Sequence, residues 1–267
     1  MSTRAPLLQI EGLKKSYGPS RVLDDVTLNI ERGDFTAILG LSGAGKSTFL
    51  RCLNRLIEPS GGRILAPGKL FLGPDAPEQV DIARLSEREL RLWRRKVGMI
   101  FQQFNLVRRL TVLDNVLSGG LGYQPVFWSS MRRFSNEDRE RAMRNLDRVG
   151  LLEHAYKRAD TLSGGQQQRV AIARALMQQP TVILADEPVA SLDPKLSAQI
   201  LDILKRVARE DGIAVLVSLH VLELARTYAD RVIGFQGGRV IFDGTPEQLD
   251  AAAVDRVYER EDTPVGV

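Results

Sequence analysis

The sequence predicts an α/β fold built around a mostly parallel sheet. Three observations lead there. Short, continuously apolar runs recur at "FTAIL", "TVILA" and "IAVLVS", the composition of strands covered on both faces. Segments with helical spacing lie between them, notably "KSTFLRCLNRLI" and "KLSAQILDILKRVARE". The 267 residues are enough to bury a large core beneath both layers.

Taken in order, "LLQIEGLKKSYG" and "RVLDDVTLNIERGD" alternate apolar and polar residues about a turn at Gly18-Pro19, so they read as two strands. "FTAILG" is a short strand that ends in a glycine-rich loop. The helix after it carries Phe49, Leu50, Leu53, Leu56 and Ile57 on one face. Cys52 lies in the same run and reads as a small core residue. "EPSGGRI" reads as a turn, and residues 66–80, rich in Gly and Pro, as loop or short strands. "SERELRLWRRK" begins with Ser86 and Glu89 at capping-box spacing, and "VGMIFQQ" is a strand. From about Thr111 to Thr161 the pattern turns helical in "TVLDNVLSGGL" and "SNEDRERAMRNLDRVGL", with irregular, partly aromatic "GYQPVFWSSMRRF" between them. "TVILADEP" and "IAVLVSLH" are buried strands, and "RVIGFQGGRVIFDG" is a hairpin about Gly237-Gly238. Residues 251–267 read as a helix end and tail.

Composition narrows the function classes. A net charge of +4 is mild. A single cysteine excludes an internal disulfide. The first residues lack a long apolar stretch of the secretory kind, and no window approaches the ~18 apolar residues of a membrane span. The expectation is a cytoplasmic chain that reaches a membrane only through a partner. The basic run Arg91, Arg94, Arg95 and Lys96 reads as a solvated helix face, because no aromatic platform accompanies it, so nucleic acid is not expected. "WSSMRRF" is a candidate surface for lipid head groups or a partner subunit, or a plain loop.

"GLSGAGKS", Gly40 to Ser47, matches G-x-x-x-x-G-K-[ST] between a strand and a helix. Backbone N–H groups of Gly40, Leu41, Ser42, Gly43, Ala44 and Gly45 are expected to cradle the phosphates of ATP. The helix dipole aids them. Lys46 reaches the β- and γ-phosphates, Ser47 ligates Mg²⁺ and Thr48 adds a donor. "VILADE" supplies Asp186 to hold the metal through water and Glu187 to orient an attacking water. A second glycine motif, "LSGGQQQRVAIARA", starts at Leu162 ahead of a helical run, which is a further recipe for binding an anion.

With "LSGGQ" at Leu162, Ser163, Gly164, Gly165 and Gln166, the chain resembles the ATP-binding cassette (ABC) ATPases from about residue 7 to 250. Other marks of the family follow in order. Tyr17 matches the adenine-stacking aromatic and Gln102 the Q-loop glutamine, a Mg²⁺ and γ-phosphate sensor. Ser191, Leu192 and Asp193 match the D-loop, and His220 matches the switch histidine. Alone, a histidine after an apolar strand is more often structural; the resemblance makes His220 catalytic beside Glu187 and Gln102. His154, the other histidine, matches nothing and reads as a surface or packing residue.

The resemblance implies a P-loop NTPase core (about 7–103 and 162–250), an N-terminal antiparallel β subdomain and an inserted α-helical subdomain (about 104–161). It implies that two copies pack head to tail, each signature serving the ATP of the other. Two transmembrane permease subunits are implied as partners, with a solute-binding protein acting indirectly, at the cytoplasmic face of the membrane. Phe104, Leu106 and Leu110 are candidate anchors for a permease helix, or plain core. "GKSTFLRCLNRLIEPSGGRI", the long segment after Asn115 and the ending from Val217 resemble the phosphonate-importer branch. Val221 stands where that branch is expected to carry glutamine. Polar amino-acid importers are the nearest alternative, and soluble or exporter-type cassettes are an alternative of another class.

Overall fold

The computed structural model describes residues 6–123 and 134–259. Strands β1 (Leu8–Tyr17) and β2 (Ser20–Ile30) form the expected hairpin. β4 (Gly61–Pro67) pairs with the other side of β1, and β5 (Gln79–Asp81) with β4, giving a four-stranded antiparallel sheet of order β2-β1-β4-β5. The turn expected at "EPSGGRI" is thus partly strand. Ile64 and Ala66 alternate inward there, and a Cβ on Gly62 would lie 2.3 Å from the carbonyl oxygen of Gly12. Within the segment expected to be loop or strand there is also a short helix, α2 (Gly68–Leu72). It buries Phe71 against the ring of Trp93, with centroids 4.4 Å apart.

The second sheet takes the apolar runs. Its strands are β3 (Phe35–Leu39), β6 (Val97–Ile100), β7 (Val182–Ala185), β8 (Ala214–Ser218), β9 (Arg231–Gln236) and β10 (Arg239–Gly244). The order is β10-β9-β3-β8-β7-β6. All pairs are parallel except the β9–β10 hairpin. β3, β7 and β8 are buried along their whole length, which their unbroken apolar runs require.

Helix α1 (Lys46–Leu53) lies between the sheets and buries Phe49, Leu50, Cys52 and Leu53. α3 (Glu87–Lys96) starts with the predicted capping box, Ser86 with Glu89. Its basic run is not a uniformly solvated face. Trp93 Nε1 donates to the Leu53 carbonyl at 3.1 Å, and Arg94 donates to those of Asn54 and Arg55 at 3.3 and 2.6 Å. These bonds satisfy carbonyls left open at the end of α1. The Arg95 guanidinium sits over the Tyr123 ring at 5.3 Å.

On the other face of the parallel sheet, α4 (Val112–Ser118) and α5 (Asn136–Arg148) pack on the long helix α6 (Gly164–Met177). Their buried side chains join one cluster with those of α7 (Pro194–Asp211). α8 (Leu222–Tyr228) and α9 (Ala251–Tyr258) close the same side. Most of "WSSMRRF" and the end of the tail lie outside the described residues. Among the described residues no helix is long and apolar enough to cross a membrane.

Trp93 is fully buried and holds α1, α2 and α3 together. Trp93→Ala should cost about 3–5 kcal/mol in a urea titration. Burial pushes the Cys52 thiol up to about 12. The native chain should therefore resist iodoacetamide at pH 8 and react only once unfolded.

Candidate active site

The glycine loop follows β3 and leads into α1. Gly40 has φ +147°, and a Cβ on it would lie 2.3 Å from the Phe235 carbonyl oxygen on β9. Gly45 has φ +99°, with the Val22 carbonyl oxygen 2.7 Å from its would-be Cβ. Only glycine permits both the backbone angles and the approach of β2 and β9. Lys46 is 4% exposed, and its Nζ donates to the carbonyls of Gly40 and Leu41 at 2.7 and 2.9 Å. Burial holds its ammonium below the usual lysine range, while Glu187 and Asp186 oppose that shift.

Asp186 follows β7 and is 3% exposed. Ser47 Oγ donates to its Oδ1 at 2.7 Å, Arg51 Nη2 to its Oδ2 at 3.0 Å, and Ser218 Oγ lies 3.3 Å from Oδ1. Sheet register explains the meeting: Ala185 pairs with Val217, so the residues just beyond them are neighbours. Glu187 takes a left-handed backbone, φ +49°, unusual for a residue with a side chain. Ser218 accepts its N–H at 2.8 Å, and His220 Nε2 lies 2.5 Å from Glu187 Oε1. Both side chains open onto a cleft of about 280 Å³ that Leu192 and Pro194 also line.

Ser163 caps α6, forming a capping box with Gln166. Gly164 lies against Phe104 and Leu192, and Gly165 against Leu196. Asp193 caps α7 by accepting the N–H groups of Lys195 and Leu196, each at 3.0 Å. Ser191 is exposed nearby. The strand expected over "VGMIFQQ" stops at Ile100, so Gln102 lies beyond it, after Phe101, and is exposed. Its strand pairs with β7, and Asp186 N–H donates to the Ile100 carbonyl at 2.8 Å. Arg174 on α6 donates to the carbonyls of Phe104 and Asn105 at 3.0 and 2.6 Å, bracing the segment after Gln102. Tyr17 is 50% exposed at the tip of the β1–β2 hairpin. Thus the signature is braced by Phe104, Leu192 and Leu196, and the glycine loop by Val22, Asp186 and Phe235.

Comparison with known proteins fits this geometry. Residues 23–190 match the ABC transporter family. The chain belongs to the ABC transporter family. The phosphonates import ATP-binding protein PhnC 2 of Halalkalibacterium halodurans is 48% identical over 254 residues, 95% of this chain and 100% of that protein. The phosphonates import ATP-binding protein PhnC of Bordetella parapertussis is 50% identical over 258 residues, 96% of this chain and 98% of that one. A dimeric ATP-binding cassette solved in a post-hydrolysis state with ADP and Pi is 36% identical with a TM-score of 0.75, covering 90% of this chain and 98% of its own.

Three residues of this ABC cassette escaped sequence reasoning: Arg51, Ser218 and Arg174. Arg51 was hidden in a helix pattern, although its place four residues after Ser47 turns it to the same face. Ser218 carried one signal, its position at a strand end two residues before His220. Arg174 bonds carbonyls, which no side-chain pattern reveals. Ser218→Ala leaves the Glu187 N–H without its acceptor. It should cost about 1–3 kcal/mol of stability and lower kcat more than it raises KM for ATP, as read from denaturation and steady-state kinetics.

Proposed function

We propose that this chain is the ATP-hydrolysing subunit of an ABC importer that drives uptake of phosphonates or related phosphorus oxyanions across the cytoplasmic membrane. The observation that carries the ATPase reading is the Asp186–Ser47 and Glu187–His220 pairing at the ends of adjacent strands, beside Lys46. The cargo rests on near-full-length likeness to two phosphonate import proteins. The cassette spans about 7–250, with the helical insertion at 104–161.

In this reading the glycine loop binds the phosphates of ATP, and Lys46 exchanges its carbonyl contacts for phosphate oxygens. Tyr17 stacks on adenine. Ser47 Oγ and Asp186 Oδ1, 2.7 Å apart, offer the hard oxygen donors that Mg²⁺ prefers, with Gln102 as a third ligand. Bound there, Mg²⁺ would neutralise charge on the phosphates. Glu187 orients and polarises the attacking water, and His220 holds that carboxylate and contacts the γ-phosphate. Ser163, Gly164 and Gly165 serve the ATP of a second copy, because N–H groups and a helix N-terminus suit an oxyanion. ATP then acts by binding the closed dimer better than the open one. Phe104 and its neighbours pass that closure to two permease subunits at the cytoplasmic face.

Three measurements test this. In ATP, Glu187→Gln should form a dimer by light scattering, and adding Ser163→Arg should abolish it; a Glu187→Gln chain that stays monomeric refutes the shared site. Lys46→Ala should lower ATP turnover by about 10²–10³-fold and abolish uptake of a labelled phosphonate in cells. Retained turnover overturns the ATPase site. Unchanged phosphonate uptake with loss of another solute replaces the cargo.

A further inference from the structure

His154 is not the bland residue that the sequence suggests. Gln166 has a side-chain amide whose orientation is set by the signature itself: its Oε1 accepts the Ser163 N–H at 3.0 Å. Its Nε2, which can only donate, then faces His154 Nε2 at 3.2 Å. To accept that bond the imidazole must present a lone pair on Nε2, which places a proton on Nδ1; Nδ1 is itself buried without a hydrogen-bond partner among the described residues. The backbone that carries the ring is fixed. His154 ends a tight turn, Leu152–His154. Its N–H donates to the Leu151 carbonyl at 3.0 Å, and its carbonyl accepts the Lys157 N–H at 2.9 Å. The side chain is only 16% exposed, with Glu153 Oε1 3.7 Å from Nδ1.

We propose that His154 is a positioning residue for the signature: it accepts a hydrogen bond from Gln166 and so fixes the capping box that presents Ser163 to the partner's ATP. Without that acceptor Gln166 is free to turn, the Ser163 N–H loses its bond, and the first turn of α6 loosens. This inference rests on the shared-site reading above. It also makes a chemical demand that packing alone does not. An acceptor at position 154 serves, an apolar group of similar size does not, and a donor opposes the amide.

The test uses the Glu187→Gln chain and reads the ATP concentration at half-dimerisation by light scattering. Binding of ATP to the monomer's own glycine loop is measured alongside. His154→Leu should raise the half-dimerisation concentration about fivefold, the worth of one ordinary hydrogen bond, with own-site binding unchanged. His154→Gln should restore most of that loss, and His154→Lys should exceed it. Equal dimerisation by His154→Leu and its parent overturns the proposal, as does a His154→Gln chain no better than His154→Leu. Failure of the parent itself to dimerise overturns the shared-site reading instead, and the proposal with it. A second readout needs no variant: ¹⁵N spectra of the unmodified chain should show His154 with its proton on Nδ1, and a proton on Nε2 would sink the idea.

Discussion

A carboxylate taken almost wholly out of water has to be paired, and the burial of Asp186 orders much of what surrounds it. Its three partners come from different places: Ser47 and Arg51 from one helix, Ser218 from the neighbouring strand. Satisfying one charge therefore ties α1 to the ends of β7 and β8. The same serine that faces Asp186 also accepts the N–H of Glu187, which stabilises a backbone angle that Glu187 would otherwise avoid. The arrangement removes conformational freedom from Glu187 and holds its carboxylate against His220.

Two cores share this sheet. One lies between the parallel and antiparallel layers and contains α1, α3 and the tilted ring pair Phe49–Phe235, 5.2 Å apart. The other lies under the helical face and unites α4, α5, α6 and α7. The glycine loop is braced from the first, through β2 and β9, and the signature from the second, through Leu192 and Leu196. The glycine loop and the signature are thus fixed to different halves of the molecule.

The sequence revealed more of the framework than of its bracing. Strands such as Val182–Ala185 were legible because burial on both faces demands an unbroken apolar run. Gly40 to Ser47 was legible because a tight phosphate cradle admits few alternatives. The capping box at Ser86 was readable from spacing alone, whereas the one between Ser163 and Gln166 emerged only in the structure. What stayed hidden depends on distance in the chain. Helix α2 follows a proline in a segment of turn-forming residues, and the packing of Phe71 on Trp93 favours it over local propensity. Arg94 looked solvated because its acceptors, two carbonyls some forty residues earlier, leave no mark in a pattern of side chains. Arg51, Ser218 and His154 were missed for the same reason: each acts through a partner that only the fold brings near.

The bonds from Arg174 to the carbonyls of Phe104 and Asn105 have a mechanical meaning. Arg174 rides on the helix that begins at the signature, and its two acceptors lie just past Gln102. A guanidinium fork gripping two successive carbonyls leaves little play between the parts it joins. The signature helix and the segment after Gln102 are thereby joined through Arg174. The segment after Gln102 is thus tied to this helix at two places, through the Phe104 ring beside Gly164 and through the two carbonyls that Arg174 holds.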